Sequence, residues 1–277
     1  QNSLSKHYEK GHTCTTCHDQ QRIGRPDWMT SVTAPEMKQK CGDCHDVQKK
    51  VFSKTDTHKK IDCVACHMPN MPSPEEFQGP DGVKEFYNAV RRSHLYKINV
   101  DPSAQTYVRN LDAKEGERLW TYALDKKGHA YVDIVWSCGR ATPGDYTLSG
   151  DAQGCHSPAT STLDEGLRYA DQSAIYAEIL KWQTPVKEGF EKIGAGLERL
   201  KQLLEVTALN PADQTEVRLM LDKAEEIYDQ VKEDGSWGAH APRYLKDRVL
   251  TGVGYIEKAQ AIIDKGGYQS ASEKKNR

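Results

Sequence analysis

The cysteines of this 277-residue chain are spaced in a way that indicates covalent chemistry. Six of the eight fall in three Cys-x-x-Cys-His motifs: Cys14-Thr-Thr-Cys17-His18, Cys41-Gly-Asp-Cys44-His45 and Cys63-Val-Ala-Cys66-His67. At the Cys and His frequencies of the chain, chance produces about 0.008 such motifs. The two thiols of such a motif add to the two vinyl groups of a haem, and the adjacent histidine coordinates the iron. The motifs therefore predict three covalently attached haem c groups.

Other kinds of cysteine chemistry explain these motifs less well. A zinc site needs no histidine directly after each second cysteine. A redox-active Cys-x-x-Cys pair usually occurs once, at the start of a helix. A framework of disulfides predicts no repeated Cys-His step either. Haem attachment is therefore the favoured interpretation of all three motifs.

The last two cysteines, Cys138 and Cys155, are separated by 16 residues, and His156 follows the second of them. The insert is rich in turn-forming residues, so it could loop out and leave both thiols beside one haem. The alternative is a disulfide between the two cysteines that closes a hairpin. We predict that the pair attaches a fourth haem c, with His156 on its iron.

The histidine count bears on whether each iron has two protein ligands. Four of the ten histidines directly follow a cysteine and are the predicted proximal ligands: His18, His45, His67 and His156. Six remain for the opposite faces of the irons: His7, His12, His58, His94, His129 and His240. A haem with two histidines transfers electrons, whereas an open iron can bind a substrate. Met68 and Met71 are alternative ligands that would raise the reduction potential. The surplus of histidines favours four saturated haems.

Composition narrows the remaining possibilities. The formal net charge of -2 argues against a nucleic-acid partner. No apolar run approaches the roughly 18 residues of a membrane span. No signal-peptide pattern occurs at Gln1, so an exported protein would be the mature chain with its signal already removed. We expect the protein in the periplasm or outside the cell. The first 70 residues contain only eight Leu, Ile, Val and Phe, too few for an ordinary core, so we expect haems to fill it.

The order of the motifs resembles a family of multihaem cytochromes that includes cytochrome c nitrite reductases, octahaem hydroxylamine oxidoreductases and octahaem sulfite reductases. A histidine shortly precedes a Cys-x-x-Cys-His-Met-Pro segment at residues 63–69, a Ser-His-Leu-Tyr-Lys-Ile segment covers 93–98, and a late segment, Gly-Ala-His-Ala-Pro, covers 238–242. A last haem motif with widely spaced cysteines is similar to that of the sulfite reductases.

The resemblance implies the ligands on the distal faces. His58, His94 and His240 match the histidines of these segments, which leaves His7, His12 or His129 for the fourth iron. His12 is preferred, although it is too near Cys14 to serve its own haem and would serve a neighbouring one.

The departures from the family matter for function. The nitrite reductases carry a catalytic haem with lysine as proximal ligand, in Cys-x-x-Cys-Lys, and this chain has no such motif. The octahaem enzymes need four more haem motifs. The chain therefore resembles the non-catalytic, four-haem C-terminal part of such an enzyme, and we expect a tetrahaem electron-transfer cytochrome rather than an enzyme. It would exchange electrons with a redox partner protein or with other haem subunits.

Two alternatives to this interpretation stay open. One is a multihaem reductase of nitrite, hydroxylamine or sulfite with one open iron, at the first or the widely spaced haem. The other is a haem-wire subunit of a larger redox complex or filament, in which a neighbouring chain donates a ligand.

The patterning predicts a mainly α fold in two parts. Residues 1–157 form a haem-binding region with little regular structure, with helical stretches within 81–135 and a short strand at 131–136. Residues 158–277 read as long helices, because apolar residues recur at helical spacing. Asn210-Pro211 and Gly235 mark the ends of the middle helix, and Pro185 should break or kink the first. We expect these helices to make contacts in a homo-oligomer, and the tail at 270–277 to fray.

Overall fold

The computed structural model of the protein describes residues 2–18, 37–59, 61–72, 75–78, 84–87, 90–114, 116–139, 156 and 172–275. The chain forms two compact units. Unit 1 comprises Gln1–Asp43 and Lys60–Glu178, and unit 2 comprises Cys44–Lys59 and Ile179–Arg277. The division at residue 157 predicted from the sequence concerns haem attachment, and it stays a prediction.

Short helices carry the Cys-x-x-Cys-His motifs. After a 3-10 turn at Asn2–Leu4 come α1 (Lys6–Glu9), α2 (Cys14–Cys17), α3 (Cys41–Cys44), α4 (Asp46–Phe52) and α5 (Cys63–His67). Of these, α2, α3 and α5 are the motifs themselves. Residues three apart on a helix lie on the same face, so a single helical turn presents both thiols of a motif to one ligand.

The described residues of unit 1 that follow the third motif form eight short strands: β1 (Asn70–Pro72), β2 (Glu75–Gln78), β3 (Lys84–Tyr87), β4 (Val90–Arg92), β5 (Ile98–Asn99), β6 (Tyr107–Arg109), β7 (Trp120–Tyr122) and β8 (Val132–Asp133). They pair β1 with β4, β2 with β3 and β6 with β7 antiparallel, and β5 with β8 parallel. The expectation of helical stretches within 81–135 is therefore wrong for the described residues, which form no named helix before the π-helix that begins at Val135. Aromatic and β-branched residues in β6 and β7 favour strands there.

The strand expected at 131–136 is reduced to the two residues of β8, because Asp133 turns the backbone into a π-helix at Val135–Gly139. One oxygen of its carboxylate accepts hydrogen bonds from the backbone N–H groups of Val135 (2.9 Å) and Trp136 (3.2 Å). The other accepts from the N–H and the hydroxyl of Thr106, at 2.8 and 2.9 Å. Burial raises the pKa of Asp133, although these donors oppose the shift. The buried carboxylate thus fixes the start of the helix that carries Cys138.

The main apolar cluster of unit 1 lies after the third haem motif. Its buried members are Met71, Leu95, Tyr107, Ala130, Val132, Val135 and Trp136. The motif helices α2, α3 and α5 contain no buried residue. Among the described residues, the motif helices therefore have no core of buried side chains. This agrees with the low content of apolar residues in the first 70 positions.

The helical region of unit 2 consists of α6 (Gln172–Val206, which begins in unit 1), α7 (Pro211–Asp234) and α8 (Pro242–Lys275). The predicted ends of α7 are confirmed. The side chain of Asn210 accepts a hydrogen bond from the backbone of Asp213, and Gly235 ends the helix in the left-handed conformation. No described helix has both the length and the apolarity that crossing a bilayer requires.

The structure differs from two expectations about these helices. Pro185 does not break α6, which continues from Gln172 to Val206. The residues after Pro185 recur on one face of the helix at intervals of seven, and three of them are fully buried: Val186, Ile193 and Leu200. The packing of this face offsets the free-energy cost of the backbone hydrogen bond that proline cannot make. The polar tail expected to fray is helical as far as Lys275.

Glycines allow α6 and α8 to approach closely. A Cβ on Gly189 would lie 2.7 Å from Cβ of Val249, and a Cβ on Gly196 would lie 2.4 Å from Cγ2 of Ile256. The two glycines and their two partners are each seven residues apart, so the contact repeats after two helical turns. The close packing of these two helices in unit 2 therefore requires glycine at positions 189 and 196.

We predict that Gly189→Ala lowers the free energy of unfolding by about 1–3 kcal/mol, the usual cost of overpacking. The clash involves Cβ of Val249, which cannot rotate away, so it outweighs the gain of about 1 kcal/mol in helix propensity. Chemical denaturation of the haem-loaded protein, followed by circular dichroism, measures this. The matched control is Gly254→Ala on α8, where a Cβ meets nothing within 4 Å and stability should rise. Equal effects at both positions would contradict the packing argument.

Candidate haem-binding sites

The proximal histidine of the third motif is held by its second ring nitrogen. Nδ1 of His67 lies 2.7 Å from the backbone carbonyl oxygen of Tyr96. A carbonyl only accepts, so the ring carries its proton on Nδ1 and leaves the Nε2 lone pair for a metal. Histidines that bind metals are commonly oriented by such a hydrogen bond. The ring of His67 therefore has the tautomer that iron requires.

His94 has the same arrangement. Its Nδ1 lies 3.0 Å from the carbonyl oxygen of Arg92. Burial lowers the pKa of His94, with a smaller contribution from His18, while the hydrogen bond to Arg92 opposes the shift. The lowered pKa favours the neutral ring, which is the form that coordinates metals.

The first proximal histidine faces this ring. The ring centroids of His18 and His94 are 6.1 Å apart. Two imidazoles that bind one metal at about 2.0–2.1 Å each have centroids about 6 Å apart. Nδ1 of His18 is buried and has no hydrogen-bond partner among the described residues. The two rings are thus spaced as axial ligands of one iron would be.

The two remaining distal candidates of the resemblance, His58 and His240, lie in unit 2 together with the second proximal histidine, His45. The ring of His58 meets the edge of Trp182 with centroids 6.4 Å apart. Nδ1 of His240 lies 2.7 Å from a carboxylate oxygen of Asp234. His240 therefore shares the tautomer of His67 and His94, but its acceptor is charged.

Contacts join successive motifs within unit 1. A hydrogen bond with the thiol of Cys63, followed by burial, raises the pKa of Cys41, so the first cysteines of the second and third motifs are neighbours. The hydroxyl of Ser137, beside Cys138, donates to the carbonyl of Cys66 at 2.9 Å. The attachment points from the second motif to the fourth therefore follow one another in space.

Tyr96 lies among several of these groups. Burial raises the pKa of Tyr96 to about 12, with smaller contributions from the thiols of Cys17, Cys14 and Cys41. Its ring centroid is 4.4 Å from that of His7 and 6.0 Å from that of His94. One residue thus contacts candidate ligands with its ring and holds His67 with its carbonyl.

The backbone at Tyr96 is strained. Its φ angle is 61°, and the N–H of Lys97 donates to the carbonyl of Leu95 at 2.7 Å, as in the rare γ-turn with positive φ. A non-glycine residue in this region costs about 1–2 kcal/mol. Strain of this kind often marks a functional constraint, and here the turn presents the carbonyl that orients His67.

We predict that Tyr96→Gly is more stable than Tyr96→Val by at least about 1 kcal/mol, because a β-branched residue fits a positive φ worst. Both variants lose the ring, so the comparison isolates the turn. The measurement is the free energy of unfolding of the haem-loaded protein. At Tyr131, which is buried and has no positive φ, the order of Gly and Val should be reversed. The same order at both positions would show that the turn at 96 carries no strain.

The fourth motif reproduces a feature of the first. The backbone N–H of His18 donates to the carbonyl of Cys14 at 2.9 Å, and that of His156 donates to the carbonyl of Cys138 at 3.2 Å. In the first motif this bond spans four residues, whereas in the fourth it spans eighteen. The backbones of Cys138 and His156 are thus joined by the same hydrogen bond as the first cysteine and the histidine of the first motif. Cys155 lies outside the described residues.

The three candidates for the last distal position differ in their surroundings. His129 is engaged by carboxylates: Nε2 lies 2.5 Å from Glu9, and Nδ1 lies 3.8 Å from Asp125. The rings of His7 and His12 have centroids 6.0 Å apart, and His7 also contacts Tyr96. The contact with Glu9 occupies Nε2 of His129, the nitrogen that iron would need, which favours His7 and His12.

The methionines considered as ligands are both buried. Met71 is fully buried within the apolar cluster of unit 1. Its packing there accounts for its position without a metal.

Sequence reasoning missed three residues that hold the candidate ligands in place: Tyr96, Asp133 and Asp234. The first two act through backbone turns or partners far away in the chain, which leave no local signal. Asp234 could have been noticed, because it directly precedes the helix-ending Gly235 and lies six residues before a candidate ligand.

Comparison with known proteins agrees with this geometry. Residues 1–68 match the family model of cytochrome c7 and related cytochrome c. Over 96% of its length the chain is 37% identical to the dissimilatory sulfite reductase MccA of Wolinella succinogenes. A solved structure of the octahaem sulfite reductase MccA of this organism, form II, superposes with a TM-score of 0.78 at 35% identity, covering 96% of this chain. Over nearly all of its length, the chain is thus similar to a multihaem c-type cytochrome.

This similarity confirms the resemblance seen in the motifs, and with it the mainly α fold and haem c as the kind of cofactor. The chain spans 40% of the curated relative and 43% of the solved one. The relatives are reductases, which favours the reductase alternative over the electron carrier that the sequence suggested. The number of haems and the ligand of each iron stay predictions.

Proposed function

We propose that this chain works in a multihaem reductase of the sulfite reductase type, as the segment that relays electrons to an open haem iron. The observation that carries the proposal is the similarity to the Wolinella sulfite reductase over 96% of the chain. The absence of a Cys-x-x-Cys-Lys motif supports a relay role for the segment itself. Sulfite is the proposed substrate of the whole enzyme, with nitrite and hydroxylamine as comparison substrates.

The proposed relay consists of four haem c groups. Three are attached at the Cys-x-x-Cys-His motifs and one at Cys138 and Cys155. The hydrogen bond from His156 to the carbonyl of Cys138 supports the fourth, because it matches the bond in the first motif. The neighbouring positions of Cys41 and Cys63, and of Ser137 and Cys66, support haems that follow one another closely. Such an order suits transfer from haem to haem.

We assign His18 and His94 to one iron, on the spacing of their rings. His58 and His240 would bind two further irons, and His7 or His12 the last. The protein sets the potential of each haem through these ligands, through burial and through nearby charge. With two histidines on each iron, the haems exchange electrons and bind no substrate.

The partners and location follow from this role. We propose that the protein is exported, and that it exchanges electrons with a redox partner or with other haem subunits. Self-association through the long helices of unit 2 is part of the proposal.

Saturation of the irons predicts a spectroscopic difference between two histidine variants. The wild-type haem-loaded chain should be low-spin and, when reduced, should bind no carbon monoxide. In His94→Ala one iron loses a ligand, so a high-spin signal should appear in electron paramagnetic resonance and one equivalent of carbon monoxide should bind. His129→Ala, whose ring is paired with carboxylates, is the control and should leave the spectra unchanged. Carbon monoxide binding by the wild type would point instead to an open iron in this chain.

A chimaera tests the reductase itself. The aligned segment of the Wolinella sulfite reductase is replaced by this chain, and sulfite-dependent oxidation of a reduced viologen dye is followed. We expect turnover within about tenfold of the parent enzyme, a barrier difference of about 1.4 kcal/mol, and strong loss when His94→Ala is added. A chimaera with its full haem content but no turnover would contradict the relay role. If this chain alone catalysed sulfite-dependent oxidation of the reduced dye, the result would instead support the alternative in which one iron of the chain is open.

A further inference from the structure

Asp234 is a fully buried carboxylate at the end of α7. A buried charge is costly unless it is paired and hydrogen-bonded. One oxygen of Asp234 lies 2.7 Å from Nδ1 of His240. The other accepts hydrogen bonds from the hydroxyl of Ser236 at 2.5 Å and from its backbone N–H at 3.2 Å. The carboxylate is thus satisfied by groups that lie within the next six residues.

The backbone after α7 is built to bring His240 back to Asp234. Gly235 and Trp237 have φ angles of 66° and 56°, in the left-handed region. Gly238, at φ 113°, passes so close to Trp182 that a Cβ would lie 2.7 Å from its carbonyl oxygen. The N–H of His240 then donates to the hydroxyl of Ser236 at 3.2 Å. Several constrained residues therefore fix the contact between the carboxylate and the ring.

The acceptor at His240 differs in charge from those at His67 and His94. Nδ1 of His67 and Nδ1 of His94 each face a neutral backbone carbonyl. Hydrogen bonds to ionised acceptors are roughly twice as strong as those between neutral groups. A carboxylate also increases the basicity of a ligating imidazole.

We propose that Asp234 is a positioning residue that lowers the reduction potential of the haem bound by His240. The inference rests on the proposed role of His240 as an axial ligand. The carboxylate holds the ring with Nε2 directed away from Asp234 and makes the imidazole a stronger donor. Both this donation and the nearby negative charge stabilise ferric over ferrous iron. The haem of His240 is then lower in potential than the haem assigned to His18 and His94, and it suits the entry of electrons from a donor.

The test uses the haem-loaded Asp234→Asn variant and a potentiometric titration followed by haem absorption. Asparagine can still accept the hydrogen bond from His240 but carries no charge. We expect the potential of one haem to rise, with at least a tenfold change in its reduction equilibrium, which is about 59 mV for one electron. The other haems should shift much less. Asp222→Asn, an exposed site on the same helix about 18 Å away, controls for the change in net charge.

A second variant acts in the opposite direction. Ser236→Ala removes a hydroxyl donor from the carboxylate and leaves more of its charge for His240, so the same potential should fall. The melting temperature and the low-spin signal are recorded for each variant, since a merely structural role would change these and not the potential. Unchanged potentials in both variants, with His240→Ala producing high-spin iron, would overturn the inference and leave the ligand assignment intact. If His240→Ala stays low-spin with all its haems, the ligand assignment itself is wrong.

Discussion

An imidazole that binds iron through one nitrogen is commonly oriented by a hydrogen bond at its other nitrogen, and much of this structure supplies such bonds. Of the candidate ligands, His67, His94 and His240 each present Nδ1 to an oxygen that can only accept. The three acceptors belong to different local structures. They are the carbonyl of a strained γ-turn for His67, a carbonyl two residues earlier in the chain for His94, and a buried carboxylate at a helix end for His240. Iron needs the same tautomer each time, and the chain fixes it with a nearby backbone carbonyl or with a carboxylate. These second contacts decide the ring orientation that a motif alone leaves open.

The same dependence on haem appears in the fold of unit 1. Helices of four or five residues are unstable alone, because nucleating a helix costs more than one turn returns. In α2, α3 and α5 no side chain is buried, and the apolar cluster of the unit begins only at Met71. Thioether bonds to a large apolar ring would give these turns both an anchor and a surface to cover. Unit 2, by contrast, has an extensive side-chain core of its own along its long helices.

The sequence predicted those parts of the structure that depend on neighbouring residues. The cap at Asn210, the stop at Gly235 and the spacing of the haem motifs are local, and the structure has the caps where the sequence predicted them. The turn at Tyr96 was out of reach, because nothing in a tyrosine indicates a positive φ. Asp133 was missed because Thr106, which it binds, lies 27 residues away. The strands within 84–133 have two to four residues each, too few to show a period of two.

The widely spaced pair illustrates how a structure can preserve a motif that a sequence has stretched. A compact motif needs its first cysteine and its histidine one helical turn apart, and only backbone geometry enforces this. The hydrogen bond from His156 to the carbonyl of Cys138 meets the same condition across an insert. Cys138 itself lies on a π-helix whose start is fixed by Asp133, and Ser137 ties it to the third motif. The contacts that hold Cys138 in the fold thus come from residues that precede the insert.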